Sequence, residues 1–97
     1  MKLESRFQSD LISELKVMFP GIVIFKQDEQ ARQGIPDLLL LIRERWAMLE
    51  CKRSIFSKYQ PNQEYYLDKF DRMGFAAMIC PENKEQVLDA LQQSFGV

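Results

Sequence analysis

The sequence predicts an α/β protein, with a mixed sheet carrying helices on its faces. Three observations lead there. Apolar residues recur at three- and four-residue spacings in three segments. Four short segments are rich in aliphatic, β-branched and aromatic residues. The resulting order, α-β-β-β-α-β-α, has a three-strand meander and then a helical crossover to a fourth strand, which requires antiparallel and parallel pairing in one sheet. At 97 residues there is room for one modest core, so residues 1–97 are read as a single domain.

Residues 3–18 form the first amphipathic helix, with Leu3, Phe7, Leu11, Leu15 and Met18 on one stripe. Pro20-Gly21 stops it, and residues 21–26 (GIVIFK) are β-branched and aromatic, hence a strand. The polar run 27–34 (QDEQARQG) is a loop ending in glycine. Residues 37–42 and 46–52 are apolar strands, joined by a hairpin through the polar triplet 43–45. Residues 53–60 form a second polar loop, and Pro61 opens a helix to about Met73, since proline suits a first turn. Gly74 ends that helix and residues 75–80 (FAAMIC) are a buried strand. Pro81 opens the last helix, to about Phe95, with Val87, Leu88 and Leu91 inward.

Composition narrows the chemistry. The chain has no histidine, which removes Ser-His-Asp and Cys-His catalysis and every zinc site that needs imidazole. Carboxylates, lysines and a metal remain. Cys51 and Cys80 lie in apolar surroundings without CxxC spacing and are expected to be small buried residues in a reducing compartment. The first ten residues are charged, and the longest apolar run is 38–42, far short of the roughly 20 residues that cross a bilayer. A cytoplasmic protein without a membrane partner is expected.

Three polar groups stand where apolar ones belong. Glu4 falls within the stripe of the first helix; either it sits in the first turn beside the helix dipole, facing water, or it needs a partner. Gln63 projects among Tyr66, Leu67, Phe70 and Met73, where an amide either satisfies free backbone groups at the helix start or does specific work. The third is the ending of the 46–52 strand. Alternation puts Glu50 and Lys52 on one face and Cys51 on the other, while Asp37 opens the neighbouring strand. Two carboxylates brought that close repel each other, and hard oxygen ligands suit Mg²⁺ or Mn²⁺. Taken alone, an aspartate in a turn and a surface Glu/Lys pair make up a common string.

Taken together, the string 34–38 (GIPDL), Trp46 through Glu50-Cys51-Lys52, and Gln63 with Tyr66, Leu67 and Gly74 behind it resembles the PD-(D/E)xK nuclease superfamily. Within it the chain is most similar to the small VRR-NUC (virus-type replication-repair nuclease) domain, a relative of Holliday junction resolvases. Glu4 fills that family's acidic position in the first helix. The resemblance implies a restriction-endonuclease-like α-β-β-β-α-β core. It implies that Asp37, Glu50 and the backbone carbonyl of Cys51 hold Mg²⁺ (or Mn²⁺), with Glu4 ligating directly or through water. Lys52 would hold the attacking water and stabilise developing charge, and Gln63 would support the site, so the catalytic set is Glu4, Asp37, Glu50, Lys52 and Gln63. The implied function is metal-dependent endonuclease action on structured DNA, four-way junctions favoured, by a homodimer whose two-fold axis places matched cuts. The alternatives are a less selective flap or nicking nuclease, and a non-catalytic DNA-binding module on the same fold. In the first loop the family's basic residues reduce to Arg32 and Gln33, a departure that bears on substrate preference.

DNA contact is expected from Lys26, Arg32, Gln33, Arg53 and Lys58, with Tyr59 or Tyr66 beside a sugar or phosphate. Ile55 and Phe56 are candidates for core, dimer contact or a wedge at a DNA branch, the first two ranking higher. The charge balance, 13 basic against 14 acidic residues, at first argues against a nucleic-acid binder. By segment it reads differently. Residues 1–25 carry three basic and three acidic groups, residues 26–58 seven and five, and residues 59–97 three and six. The acid excess lies in the last two helices, away from the strands expected to carry the site.

Overall fold

The chain folds as α1 (Leu3–Met18), β1 (Val23–Lys26), β2 (Leu38–Ile42), β3 (Arg45–Cys51), α2 (Gln63–Met73), β4 (Ala76–Ile79) and α3 (Lys84–Phe95). This computed structural model describes residues 3–28 and 30–97, and Leu3 by its backbone alone. The inward position expected for the Leu3 side chain therefore lies outside the described residues. The class is α/β with a four-stranded mixed sheet, as the element order predicts. The strands lie in chain order, β1-β2-β3-β4. β1 pairs antiparallel with β2 and β2 with β3, whereas β4 runs parallel to β3 after the crossover through α2.

Alternation divides the sheet into two chemically different faces. Leu38 and Leu40 of β2, with Ala47, Leu49 and Cys51 of β3, meet Leu11, Leu15 and Phe19 from the α1 region and Leu88, Leu91 and Phe95 of α3. Phe19 and Phe95 pack edge to face across this core, with ring centroids 5.3 Å apart. The opposite face carries α2, where Trp46 meets Phe70 edge to face. Glu50 belongs to this second face and is only 2% exposed. β3 is thus covered on both sides near its C-terminal end.

Several boundaries differ from the sequence expectation for local reasons. β1 starts at Val23, because Gly21 takes φ +89° and the Ile22 amide turns back to the Phe19 carbonyl at 3.0 Å. The hairpin uses two residues, not three: Ile42 pairs with Arg45, and Arg43 supplies the left-handed turn position at φ 53°. Pro61 does not begin α2. Asn62 takes φ 71°, which no helix contains, so the helix begins at Gln63. Pro81 likewise lies outside α3, because Asn83 closes the preceding turn by accepting the Cys80 amide at 2.8 Å. Met73, expected inward, is 65% exposed, whereas Gln63 and Leu67 are buried. Ile55 and Phe56 are exposed too, so the core reading for that pair is incorrect. Both cysteines are free and buried, as expected.

Gly34 locks the loop before β2 against the start of α2. It takes φ +91°, and a Cβ built on it would lie 2.6 Å from Asn62 Cβ and 2.8 Å from the Pro61 carbonyl oxygen. Gly21 has a similar φ with nothing within 4 Å of its Cβ position. Left-handed backbone at a non-glycine residue costs about 1–2 kcal/mol. Gly21→Ala should therefore lose about 1 kcal/mol, and Gly34→Ala about 3 kcal/mol or more once the overlap is added. Urea denaturation midpoints of the two variants check this ordering.

Candidate functional site

The register of β2 against β3 builds the site. Leu38 pairs with Leu49, so Asp37, one residue before β2, stands beside Glu50 at the end of β3. The Gln27 amide donates to the Asp37 carbonyl at 2.7 Å, which extends the β1–β2 ladder to the strand mouth. The Gln27 side chain adds a bond from Nε2 to the Pro36 carbonyl at 3.1 Å. Asp37 Oδ2 accepts the Cys51 amide at 2.8 Å, tying the tip of one strand to the tip of the next.

Glu4 arrives from the first turn of α1. One carboxylate oxygen each from Glu4, Asp37 and Glu50 lie within 4.8 Å of one another, Glu50 buried and the other two half-buried. Three oxygens this close can converge on a single ion with modest side-chain adjustment. Against these three carboxylates stands one ammonium, Lys52, so the formal charge of the group is −2. Oxygen donors and the absence of histidine fit a hard divalent cation rather than a soft one. Cys51 Sγ contributes no thiolate: burial first, then the charge of Asp37, pushes that thiol up to about 12.

Lys52 and Gln63 form the buried half of the site. Lys52 is 7% exposed and Gln63 2%. Lys52 Nζ donates to Gln63 Oε1 at 2.8 Å and stands 3.6 Å from Glu50 Oε2. Gln63 Nε2 donates to that same Glu50 oxygen at 2.9 Å, and the Gln60 amide donates to Gln63 Oε1 at 2.7 Å. The orientation of the amide is forced, because an ammonium only donates and a carboxylate only accepts. Every polar atom of the Gln63 side chain is engaged.

The five residues expected to be catalytic are therefore brought together from α1, the β2 mouth, the β3 end and α2. Cys51 meets the group through its amide; in extended backbone the carbonyl of the same residue leaves on the same side. The expected DNA contacts are distributed differently. Lys26, Arg32, Gln33, Arg53 and Lys58 are all exposed, on the end of β1 and on the two loops. Arg32 Nη1 donates to the Tyr66 hydroxyl at 3.1 Å, across 34 residues, and Tyr66 stacks on Phe70 with centroids 5.6 Å apart. Gln27 is a structural support that the residue pattern did not single out. It lies in a polar loop, so no local signal marks it. No family model matches the sequence, and no curated protein matches it.

Removing the Gln63 amide strands a buried ammonium and a buried carboxylate at once. Gln63→Ala should cost about 2–4 kcal/mol in denaturant unfolding. The cost should shrink by about 1 kcal/mol or more in a Lys52→Met background, where one stranded partner is already gone. A double-mutant cycle measures that coupling.

Proposed function

We propose that this chain is a metal-dependent endonuclease acting on structured DNA, with a restriction-endonuclease-like α-β-β-β-α-β core and a PD-(D/E)xK site of the VRR-NUC type. The observation that supports the reading best is the convergence of Glu4, Asp37 and Glu50, from three separate elements, within 4.8 Å. Beside them Lys52 is buried with a defined partner. A scaffold has no need to hold three carboxylates and a lysine together where strands end.

Glu4, Asp37 and Glu50 would hold Mg²⁺ or Mn²⁺, which when bound makes coordinated water a better nucleophile and offsets charge on the phosphate. The remaining work falls to the chain's own groups. Lys52 donates to Gln63 at 2.8 Å and lies 3.6 Å from Glu50, and an ammonium with three N–H donors keeps capacity toward a phosphate oxygen or water. Its ammonium is held in place before substrate arrives, so little reorganisation accompanies charge development in the transition state. Gln63 fixes Glu50 by one oxygen and Lys52 by one proton, keeping acid and base from collapsing into a closer pair. Lys26, Arg53 and Lys58 flank the strand ends and would contact the sugar-phosphate backbone, as would Arg32 with Gln33 and Tyr66.

Resolution of four-way junctions by a homodimer, in a cytoplasmic setting, is the specific form of this proposal, since paired incisions need two sites related by a two-fold axis. Among the described residues, no helix is long and apolar enough to cross a membrane.

The test incubates four-way junction, flap, duplex and single-stranded DNA with Mg²⁺ or Mn²⁺. The wild type should cut the junction and leave it intact in EDTA. Asp37→Ala and Lys52→Ala should each lose about 10²-fold or more in cutting rate, the scale of removing one preorganised electrostatic group. Equal cutting by Asp37→Ala would overturn the site, and duplex cut as fast as junction would remove junction preference while leaving the nuclease. Stability gives an independent readout. Mn²⁺ at 100 times its dissociation constant should add about 2.7 kcal/mol to wild-type unfolding and nothing to Asp37→Ala.

A further inference from the structure

The segment that follows Lys52 carries an apolar pair with no structural use inside the protein. Phe56 is 88% exposed and Ile55 43%. An exposed phenylalanine in a slack loop would need no explanation, but this loop is held. Ile55 N donates to Glu82 Oε1 and Ser54 Oγ to Glu82 Oε2, both at 3.2 Å. Phe56 N donates to Ser54 Oγ at 3.1 Å, and Ser57 N to the Ser54 carbonyl at 3.1 Å. The Glu82 carboxyl lies below its usual range, through its own amide first and the Ile55 amide and Ser54 hydroxyl after it. It stays ionised and keeps accepting these bonds. The loop is therefore preorganised to hold its apolar tip in water.

The charge around the tip identifies its occupant. Residues 53–58 read Arg-Ser-Ile-Phe-Ser-Lys, with an exposed cation on each side of the apolar pair. The Glu82 carboxylate lies against the backbone of the loop, so the local sum is one positive charge. A partner that satisfies both features is anionic along its backbone and flat and apolar between the charges, which describes a nucleic-acid strand with an accessible base. Phe56 is four residues beyond Lys52, so their Cα atoms are no more than about 14 Å apart, roughly four base steps of 3.4 Å. Bases within a continuous duplex are covered by their neighbours. Bases at a branch or strand end present an open face.

We propose that the Ile55–Phe56 loop is a wedge that stacks on a base exposed at a branch or end of DNA, with Arg53 and Lys58 gripping the flanking phosphates. This deepens, and rests on, the reading of the chain as a nuclease of structured DNA. It makes the loop the element that distinguishes branched from continuous duplex.

The test measures binding of fluorescently labelled four-way junction and plain duplex by the full chain, with Ca²⁺ replacing Mg²⁺. Parallel samples carry 2-aminopurine at the branch. Phe56→Ala should bind the junction about ten-fold more weakly, as expected for loss of one base–aromatic stack, with duplex affinity changed less than about two-fold. It should also lose the change in 2-aminopurine emission that the wild type produces, while Phe56→Trp restores both. Val17→Ala is the control, since Val17 is 81% exposed on α1, thirteen residues or about 20 Å along the helix from Glu4. It should bind as the wild type does. Wild-type junction affinity and emission change retained in Phe56→Ala would overturn the wedge and leave the nuclease standing. The same result with a dimer lost in sedimentation would reassign the tip to contact between two copies of the chain. A wild type that binds branched DNA through Phe56 but cuts none would support the wedge and reject the nuclease.

Discussion

The buried contact between Lys52, Gln63 and Glu50 is the constraint on which the remaining structure turns. An ammonium and a carboxylate withdrawn from water each lose several kcal/mol of solvation, and a 3.6 Å approach between them does not restore it. The amide of Gln63 closes the gap by accepting from one and donating to the other. It can do so only from the first position of α2, with its oxygen also held by the Gln60 amide. That requirement explains why the chain leaves the helical path at Asn62 and why Gly34 must approach the same turn without a side chain.

Register carries the constraint from α2 to the acids. Because side chains alternate across a sheet, a slip of one residue between β2 and β3 would turn Glu50 into the aliphatic core and leave Asp37 beside a leucine. The slip is opposed by leucines on the core-facing side: Leu38, Leu40 and Leu49 are all fully buried against α1 and α3. Apolar packing on one face thus fixes the positions of carboxylates on the other, and the Cys51 amide to Asp37 bond secures the junction between the two strand tips. Stability and chemistry are divided between the two sides of one short strand.

What was legible in the sequence follows this division. Element identity and order could be read because each segment carries a period, 2 or 3.6, that a core face imposes. Glu4 and Gln63 were conspicuous because a polar group interrupted such a stripe, and Asp37 with Glu50 and Lys52 because charged groups ended apolar strands. Helix starts at Pro61 and Pro81 were misplaced, since proline permits a first turn without requiring one, and left-handed Asn62 and the Asn83 turn override it. Met73 has the spacing of an inward residue, yet it is 65% exposed at the last turn of α2. Gln27 and Glu82 act through contacts with residues distant in sequence, which no periodicity records.

Electrostatics connects the site to its surroundings. Three carboxylates and one ammonium give the cluster a formal charge of −2, which repels a phosphodiester and attracts a divalent cation about twice as strongly at equal distance. On the function proposed above, approach of a DNA strand would depend on two separate sources of positive charge. A cation in the cluster would reverse the local repulsion, and the exposed Lys26, Arg53 and Lys58 would add positive charge on the adjoining strand end and loop. The acid excess of residues 59–97 (Glu64, Asp68, Asp71, Glu82, Glu85 and Asp89) is carried by α2, α3 and their connections rather than the strand ends. On that reading a polyanion would be disfavoured along those helices and admitted beside the loops that carry the exposed cations. Near-neutral net charge is thus compatible with directed binding, because what guides a strand is the difference in potential between neighbouring surfaces rather than the sum over the molecule.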